Sequence, residues 1–286
     1  MLRRILPTMA IALLLLATPT AFADGDSLDA LADRLAEQLR AQRKKFFFPK
    51  LIVADFPLLP GRVNALSESI AGQLSALMTQ RLGANAMIER KALYDRLQAD
   101  LLSPDDLQDR GVANWLFGEI GANAVISGHI VISADTLKVS VELRRIADDK
   151  RLADAVLVLP LSEDWKALSA EPLNWPSPPE LAVPCSTKET QENFKTRGVT
   201  QPTCIECALP EYTNTARTAK IQGTAKMSVI VDEVGKARSV RVIEGLGYGL
   251  DERSIETIHR WRLKPALKDG KPVAVCVVIE TTFRFY

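Results

Sequence analysis

"MSVIVDEVGKARSVRVIEG", residues 227–245, is the stretch on which the fold turns. Met227, Val229 and Val231 recur at every second position, Gly235 marks a turn, and Val240 and Val242 resume the alternation, which predicts two antiparallel strands. "GYGLDERSIETIHRWRLKPA" (247–266) then changes period. Ile255, Ile258 and Trp261 form one helical stripe, Asp251 is the expected N-cap, and Leu250 is placed to staple onto Ile255. Asp269-Gly270 turns the chain into "PVAVCVVIETTFRFY" (272–286), where Val273, Val275, Val277, Ile279, Phe283 and Phe285 share one face and Cys276, Glu280 and Arg284 the other. With the small-residue helix expected after Tyr212, the order is helix, strand, strand, helix, strand. That order predicts a three-stranded antiparallel sheet with helices on a single face and a final strand at the edge.

Upstream, "SAEPLNWPSPPELAVPCSTKETQENFKTRGVTQPT" (169–203) is rich in proline and polar residues and has no sustained period. Such a composition disfavours helix and central strand, so the segment reads as a semi-rigid connector, with Trp165 and Trp175 placed to dock its start on what precedes it. Residues 48–168 alternate helical and strand patterns: a buried-type run "KLIVADF", an amphipathic helix over 64–83, a short strand "AMIER", further helices, and three β segments ending at "RLADAVLVLPL". This is the order of an α/β layered domain with a mixed sheet. In "SLDALADRLAEQLRAQRKK", Leu28, Leu31, Leu35 and Leu39 line one face of a helix capped by Ser27, and that helix falls within a separate segment, 24–47. The whole chain is therefore α+β, with domains at 48–168 and 204–286 joined by 169–203.

Arg3-Arg4, an apolar stretch over residues 5–17 and Ala21-Phe22-Ala23 have the layout of a secretory leader, 1–23, with cleavage after Ala23. Pro7 and the short apolar length argue against a spanning helix. Export to the periplasm places Cys185, Cys204, Cys207 and Cys276 in an oxidising space, where four cysteines allow two bridges in three pairings. A Cys204–Cys207 bridge requires a turn, because an extended chain separates the two Cα atoms by about 10 Å. The pair has neither the helix-start setting of a redox motif nor the ligand spacing of a zinc site, and the two histidines, His129 and His259, lie far from it in sequence. The 36 basic and 35 acidic side chains nearly balance, which argues against nucleic acid or an anionic membrane as the main partner. No cofactor motif is present. Asp55 and His129 read as structural, and the reading names no catalytic residue and no metal ligand.

Two resemblances follow. "LIVADF", "MIERKALYDRL" and "IGANAVISGHI" resemble the α/β domain of the CsgG and FlgO group and the N-terminal domain of TolB over about 48–165, which implies a periplasm-facing protein taking part in outer-membrane assemblies. Pro210 and Tyr212, Ala216-Arg217, Gly223, Gly235, Leu250-Asp251-Glu252, Trp261-Arg262, Pro265-Ala266, Gly270-Lys271-Pro272 and Phe283 resemble, in order over about 205–286, a TonB C-terminal domain. Thr213 departs from that family's usual Tyr-Pro step. TonB domains add a short extended segment of an outer-membrane receptor to a sheet edge and pass on energy from an inner-membrane motor. The resemblance implies an envelope protein as partner, recognised by edge-strand addition, with Pro210, Tyr212, Glu280, Thr282 and Arg284 as candidate contacts. It also puts Cys276 on the face left open by the helices. We expect the connector to cross that face and join Cys185 to Cys276, leaving Cys204 with Cys207.

The sequence reading is thus a non-enzymatic periplasmic adaptor in envelope transport or assembly, associated with membrane only through a partner unless the leader is retained. An anchored TonB-type energy transducer and a Cys-x-x-Cys redox protein are the alternatives.

Overall fold

A computed structural model describes residues 27–41, 50–59, 61–177, 179–185 and 192–284. The leader and its cleavage site, and Phe285, lie outside the described residues. Helix α1 (Leu28–Ala41) buries Leu28, Leu31, Ala32 and Leu35, the i, i+3, i+4, i+7 stripe of an amphipathic helix. The Ser27 hydroxyl caps it by accepting from Ala30 N at 3.1 Å. Strand β1 (Leu51–Val53) is buried at every position. Helix α2 (Ala65–Leu82) starts where the Asn64 side chain accepts from Ser67 N and ends at Gly83, whose φ of 88° suits glycine. "AMIER" forms no strand: only an isolated parallel bridge joins Met87 to Leu51, because α3 (Arg90–Ala99) begins directly after it.

The Asp109 carboxylate caps α4 (Arg110–Glu119) through Gly111 N and Val112 N. Strands β2 (Ala124–Ser133), β3 (Thr136–Arg145) and β4 (Arg151–Pro160) complete a sheet of order β1-β2-β3-β4. Its first pair is parallel and the others antiparallel, so the sheet is mixed. Helices α1 and α2 pack on one face, over Ile126, Ile130, Val139 and Leu157. Helix α5 (Glu163–Ala170) follows, capped by Ser162.

The proline-rich segment is more than a spacer. Trp175 Nε1 donates to Leu102 O at 3.1 Å and its ring meets Tyr94 edge-on. Val183 is bridged to Val275, and the short helix α6 (Glu192–Thr196) leads to Val199, bridged to Lys268. Strand β5 (Thr203–Glu206) carries Cys204, and Cys207 lies just past its end; the two are bonded at a Cα–Cα distance of 6.0 Å. The chain closes this bridge across the end of β5 rather than in a turn, and a register shift between Cys204 and Glu206 there shortens the span.

Helix α7 (Asn214–Thr218) is capped by Thr213, whose hydroxyl accepts from Ala216 N and donates to Tyr248 O at 2.6 Å. The residue that departs from the Tyr-Pro step thus starts the helix itself. Strands β6 (Gly223–Val231) and β7 (Ala237–Glu244) form the expected hairpin, and α8 (Leu250–His259) follows. Asp251 is not its N-cap. Gly249, at φ 79°, holds that position, while Asp251 reaches back to Leu246 N and Gly247 N at 2.8 Å and fastens the loop instead.

Strand β8 (Arg262–Lys264) pairs with β5, and β9 (Ala266–Lys268) with β10 (Lys271–Val273). Strand β11 (Val275–Phe283) is separated from β10 at Ala274, so the single long strand read from the sequence is two. The main sheet here has order β11-β6-β7, all antiparallel. One hydrophobic cluster runs from Ile52, Leu97 and Leu116 through Ile255 and Ile258 to Met227 and Val275. Helix α8 is therefore packed between its own sheet and α4. A Cβ on Gly111 would lie 3.1 Å from Ile255 Cδ1, which is why α4 approaches α8 through a glycine.

Candidate partner-binding edge

The order β11-β6-β7 leaves two edge strands, each a row of backbone groups available for pairing. The β7 edge is closed by the chain itself. Ser239 sits at a register shift with φ 47°, and its N–H donates to Asp100 O at 2.7 Å. Side chains reinforce that contact: Arg238 reaches Asp100 at 3.4 Å, and Arg241 meets Asp106 at 2.5 and 3.0 Å. Burial opposes ionisation of Asp106, but hydrogen bonds from Arg241 and Ser103 outweigh it and hold the carboxyl below its ordinary pKa. Beside this seal the His259 ring stacks on Trp115, centroids 3.8 Å apart. Burial pushes its pKa down to about 3, and Arg96 and Arg238 push the same way against a hydrogen bond to Ala237.

The β11 edge differs along its length. At its start, Ala182 N donates to Ala274 O at 3.0 Å and Cys276 N to Val183 O at 2.8 Å, so residues 182–183 lie against it as a short parallel strap. Cys185 is bonded to Cys276 at a Cα–Cα distance of 4.9 Å and fastens the strap over Ser228. Since Cys276 N points away from β6 and the β11–β6 ladder is unbroken to Phe283, the amides of Val278, Glu280 and Thr282 point the same way by the two-residue period. No backbone hydrogen bond from another described segment reaches them.

The side chains of Val278, Glu280 and Thr282 stand exposed on the helix-free face. Thr282 pairs with Thr224 across the sheet at 3.0 Å. Tyr212 stacks edge-on against Phe283 and donates to Ile221 O, so its ring is packed against the end of β11 and half-buried, and Pro210 lies two residues before it, also half-buried. Glu280 and Thr282 thus share the exposed face near the end of β11, whereas Tyr212 packs on Phe283 at its other face and Arg284 follows the strand, exposed. Val278, an exposed apolar side chain on the open edge, was not singled out by the sequence reading, though the Val-Cys-Val-Val run around it held the signal. The expected crossing of the connector to a Cys185–Cys276 bond is present, and what the reading did not include is the backbone pairing of residues 182–183 with β11.

The other residues weighed from the sequence are accounted for by structure. Asp55 is buried and bound by Arg90 at 2.6 Å and by Tyr94, whose hydroxyl is raised far above its usual pKa, chiefly by burial. His129 lies on β2 opposite Ser140. Among the described residues no group of three or more His, Cys, Asp or Glu side chains is placed to hold a metal, and no helix is long and apolar enough to cross a membrane.

Comparison with solved structures returns low-identity likenesses. The C-terminal domain of LpoB from Salmonella enterica is 15% identical, covering 43% of this chain and 92% of that one, with a TM-score of 0.35. LpoB of E. coli is 14% identical over 57% of this chain and 81% of that one, at 0.38. The C-terminal domain of TonB from Pseudomonas aeruginosa is 21% identical over 29% of this chain and 86% of that one, at 0.26. No curated protein matches the chain. The family model of the Gram-negative bacterial TonB protein C-terminal does match, and it does so over residues 208–285, the part of the chain that carries β11 and its open edge.

Proposed function

We propose that the chain is a non-enzymatic binding module of the bacterial cell envelope that takes up an extended segment of an envelope protein as an added strand on β11. The observation that carries this reading is the contrast within one strand: residues 274–276 already accept a parallel segment of the same chain, while the outward amides of Val278, Glu280 and Thr282 have no such partner. Strand addition supplies main-chain hydrogen bonds for affinity and leaves alternate side chains to specify the partner. The match of residues 208–285 to the TonB family supports the same edge. Periplasmic location is part of the proposal, supported by the two disulfides, which persist in an oxidising compartment. Cys204 and Cys207 are bonded at the end of a strand paired with β8 and not at a helix N-terminus, which favours a staple over thiol chemistry.

Glu280→Pro tests the edge directly. Proline removes one outward N–H yet spares the β6 ladder, so the fold tolerates it at an edge position. A photoreactive residue at Thr282 is expected to crosslink to an envelope protein in cells, and the crosslink is expected to disappear in the Glu280→Pro background. An undiminished crosslink in that background would contradict strand addition.

A further inference from the structure

A cleft of about 560 Å³ lies between α3 and the turn that joins β6 to β7. Five cations line it: Arg96, Lys236, Arg238, Arg260 and Arg262, with Asp100 as the acidic residue among the lining. Three of the cations are compensated within the chain. Arg96 pairs with Asp100 and Glu119, Arg238 with Asp232 and Asp100, and Arg260 with Glu256.

Lys236 and Arg262 form no side-chain ion pair among the described residues; the backbone sets them directly opposite one another in an antiparallel bridge, and Glu206 of β5 lies across from Arg262 on its other side. Like charges facing across strands repel, so the fold holds two cations together here against the single carboxylate of Glu206, which leaves a net positive charge. The holding is rigid. Leu263 N donates to Gly235 O at 3.1 Å, and a Cβ on Gly235, at φ 79°, would fall 1.9 Å from Leu263 O, so only glycine lets the turn approach β8 this closely. In the same cleft, His259 Nε2 is buried with no hydrogen-bond partner among the described residues. Its ring already bonds Ala237, so Nε2 remains as an acceptor for a donor brought by a ligand. Ile205, 59% exposed, and Val234, 73% exposed, add apolar surface.

We propose that this cleft is a binding site for a phosphate-bearing polyol, with the phosphate on Lys236 and Arg262 and a ligand hydroxyl on His259 Nε2. A dianionic phosphate matches two adjacent cations better than a single carboxylate does, and the planar guanidinium of Arg262 suits two of its oxygens. The site is separate from the β11 edge and does not rest on it. The Cys204–Cys207 staple gains a role here, since it fixes Ile205 between the two cysteines beside the cleft.

The same chemistry occurs in free glycerol phosphates and in the headgroup of phosphatidylglycerol, and the experiment separates them. Glycerol 3-phosphate titrated into the intact oxidised chain, in buffer free of other polyvalent anions, is expected to bind saturably with a Kd of about 1 mM. Binding is also expected to shift the His259 Nε2 resonance. The double variant Lys236→Ala/Arg262→Ala is expected to bind at least about tenfold more weakly, since two charge-assisted contacts are lost. It is also expected to fold as stably as the parent or more so, because a repulsive pair has been removed. Flotation with phosphatidylcholine vesicles containing phosphatidylglycerol tests the lipid source: co-flotation that the double variant loses assigns the headgroup, and titration without co-flotation assigns the soluble ligand. Failure of both probes, or binding that the double variant retains, would overturn the proposal.

Discussion

The two edges of the C-terminal sheet have opposite fates. Strand β7 is closed by residues 100–106, through one backbone hydrogen bond to Ser239 and the carboxylates of Asp100 and Asp106 on Arg238 and Arg241. Strand β11 is covered only at residues 274–276, by a strap that a disulfide pins down, and is bare beyond it. A sheet with two free edges has no preference for where a partner strand should add and is prone to pairing at the wrong one. Here the chain uses one edge to fix its two halves together and leaves the other bare beyond the strap, and in the proposed function the strap sets where an added strand would begin.

The comparison can be broken at either edge, and the strap gives the largest effect. The Cys185–Cys276 bridge closes a separation of 91 residues, and replacing both cysteines with alanine is expected to cost about 4.6 kcal/mol on the chain-entropy estimate. The amide of Cys276 should then lose its protection as the strap lifts, an outcome that urea denaturation and hydrogen exchange check together. The bridge of Cys204 and Cys207, three residues apart, should cost about half as much by the same measure.

At the sealed edge, Asp100→Ala removes a carboxylate that is 3% exposed and serves both Arg96 and Arg238. Breaking one partner of a buried ion pair costs about 3 kcal/mol, and the loss should appear in urea denaturation along with faster exchange at Ser239. An unchanged Ser239 amide would show that the seal is backbone-made and independent of the arginines.

His259 gives the smallest of the three effects and makes the seal depend on pH. Its folded pKa of about 3 lies below its ordinary 6.5, so the folded chain binds fewer protons there than the unfolded chain does. The contribution is intact above pH 6.5 and is lost progressively as the pH falls toward 3; at pH 5 the loss is about 2 kcal/mol. The charges acting on the ring, those of Arg96 and Arg238, add to burial in opposing its protonation. Denaturation midpoints of His259→Phe, which keeps a ring on Trp115, should lack this part of the pH dependence.

Much of the fold could be read from periodicity. The alternation around Met227, Val229 and Val231 and the stripe Ile255–Ile258 mark elements whose one face is buried, and burial on one face is what a period records. What could not be read depends on contacts made across the chain. "AMIER" looks like a strand until α3 starts beside it and leaves room for a single bridge. Asp251 has the look of an N-cap, yet the loop before it consumes its carboxylate. Asp106 closes a capping box with Ser103, but nothing local to it announces that it also receives Arg241 from 135 residues away. The candidate edge was partly legible: a final strand with Glu280, Thr282 and Arg284 on its open face reads as an edge, and the connector's crossing to a Cys185–Cys276 bond was expected, whereas the closure of the opposite edge and the backbone pairing of residues 182–183 depend on long-range contacts that no period records.

Residue-resolved amide exchange of the oxidised chain tests the contrast between the edges most directly. The account predicts slow exchange at Ser239 and Cys276 and exchange at least about a hundredfold faster at Val278, Glu280 and Thr282. Protection at those three amides equal to that of Ser239 would show that the β11 edge is already covered, and would contradict its assignment as the recognition edge.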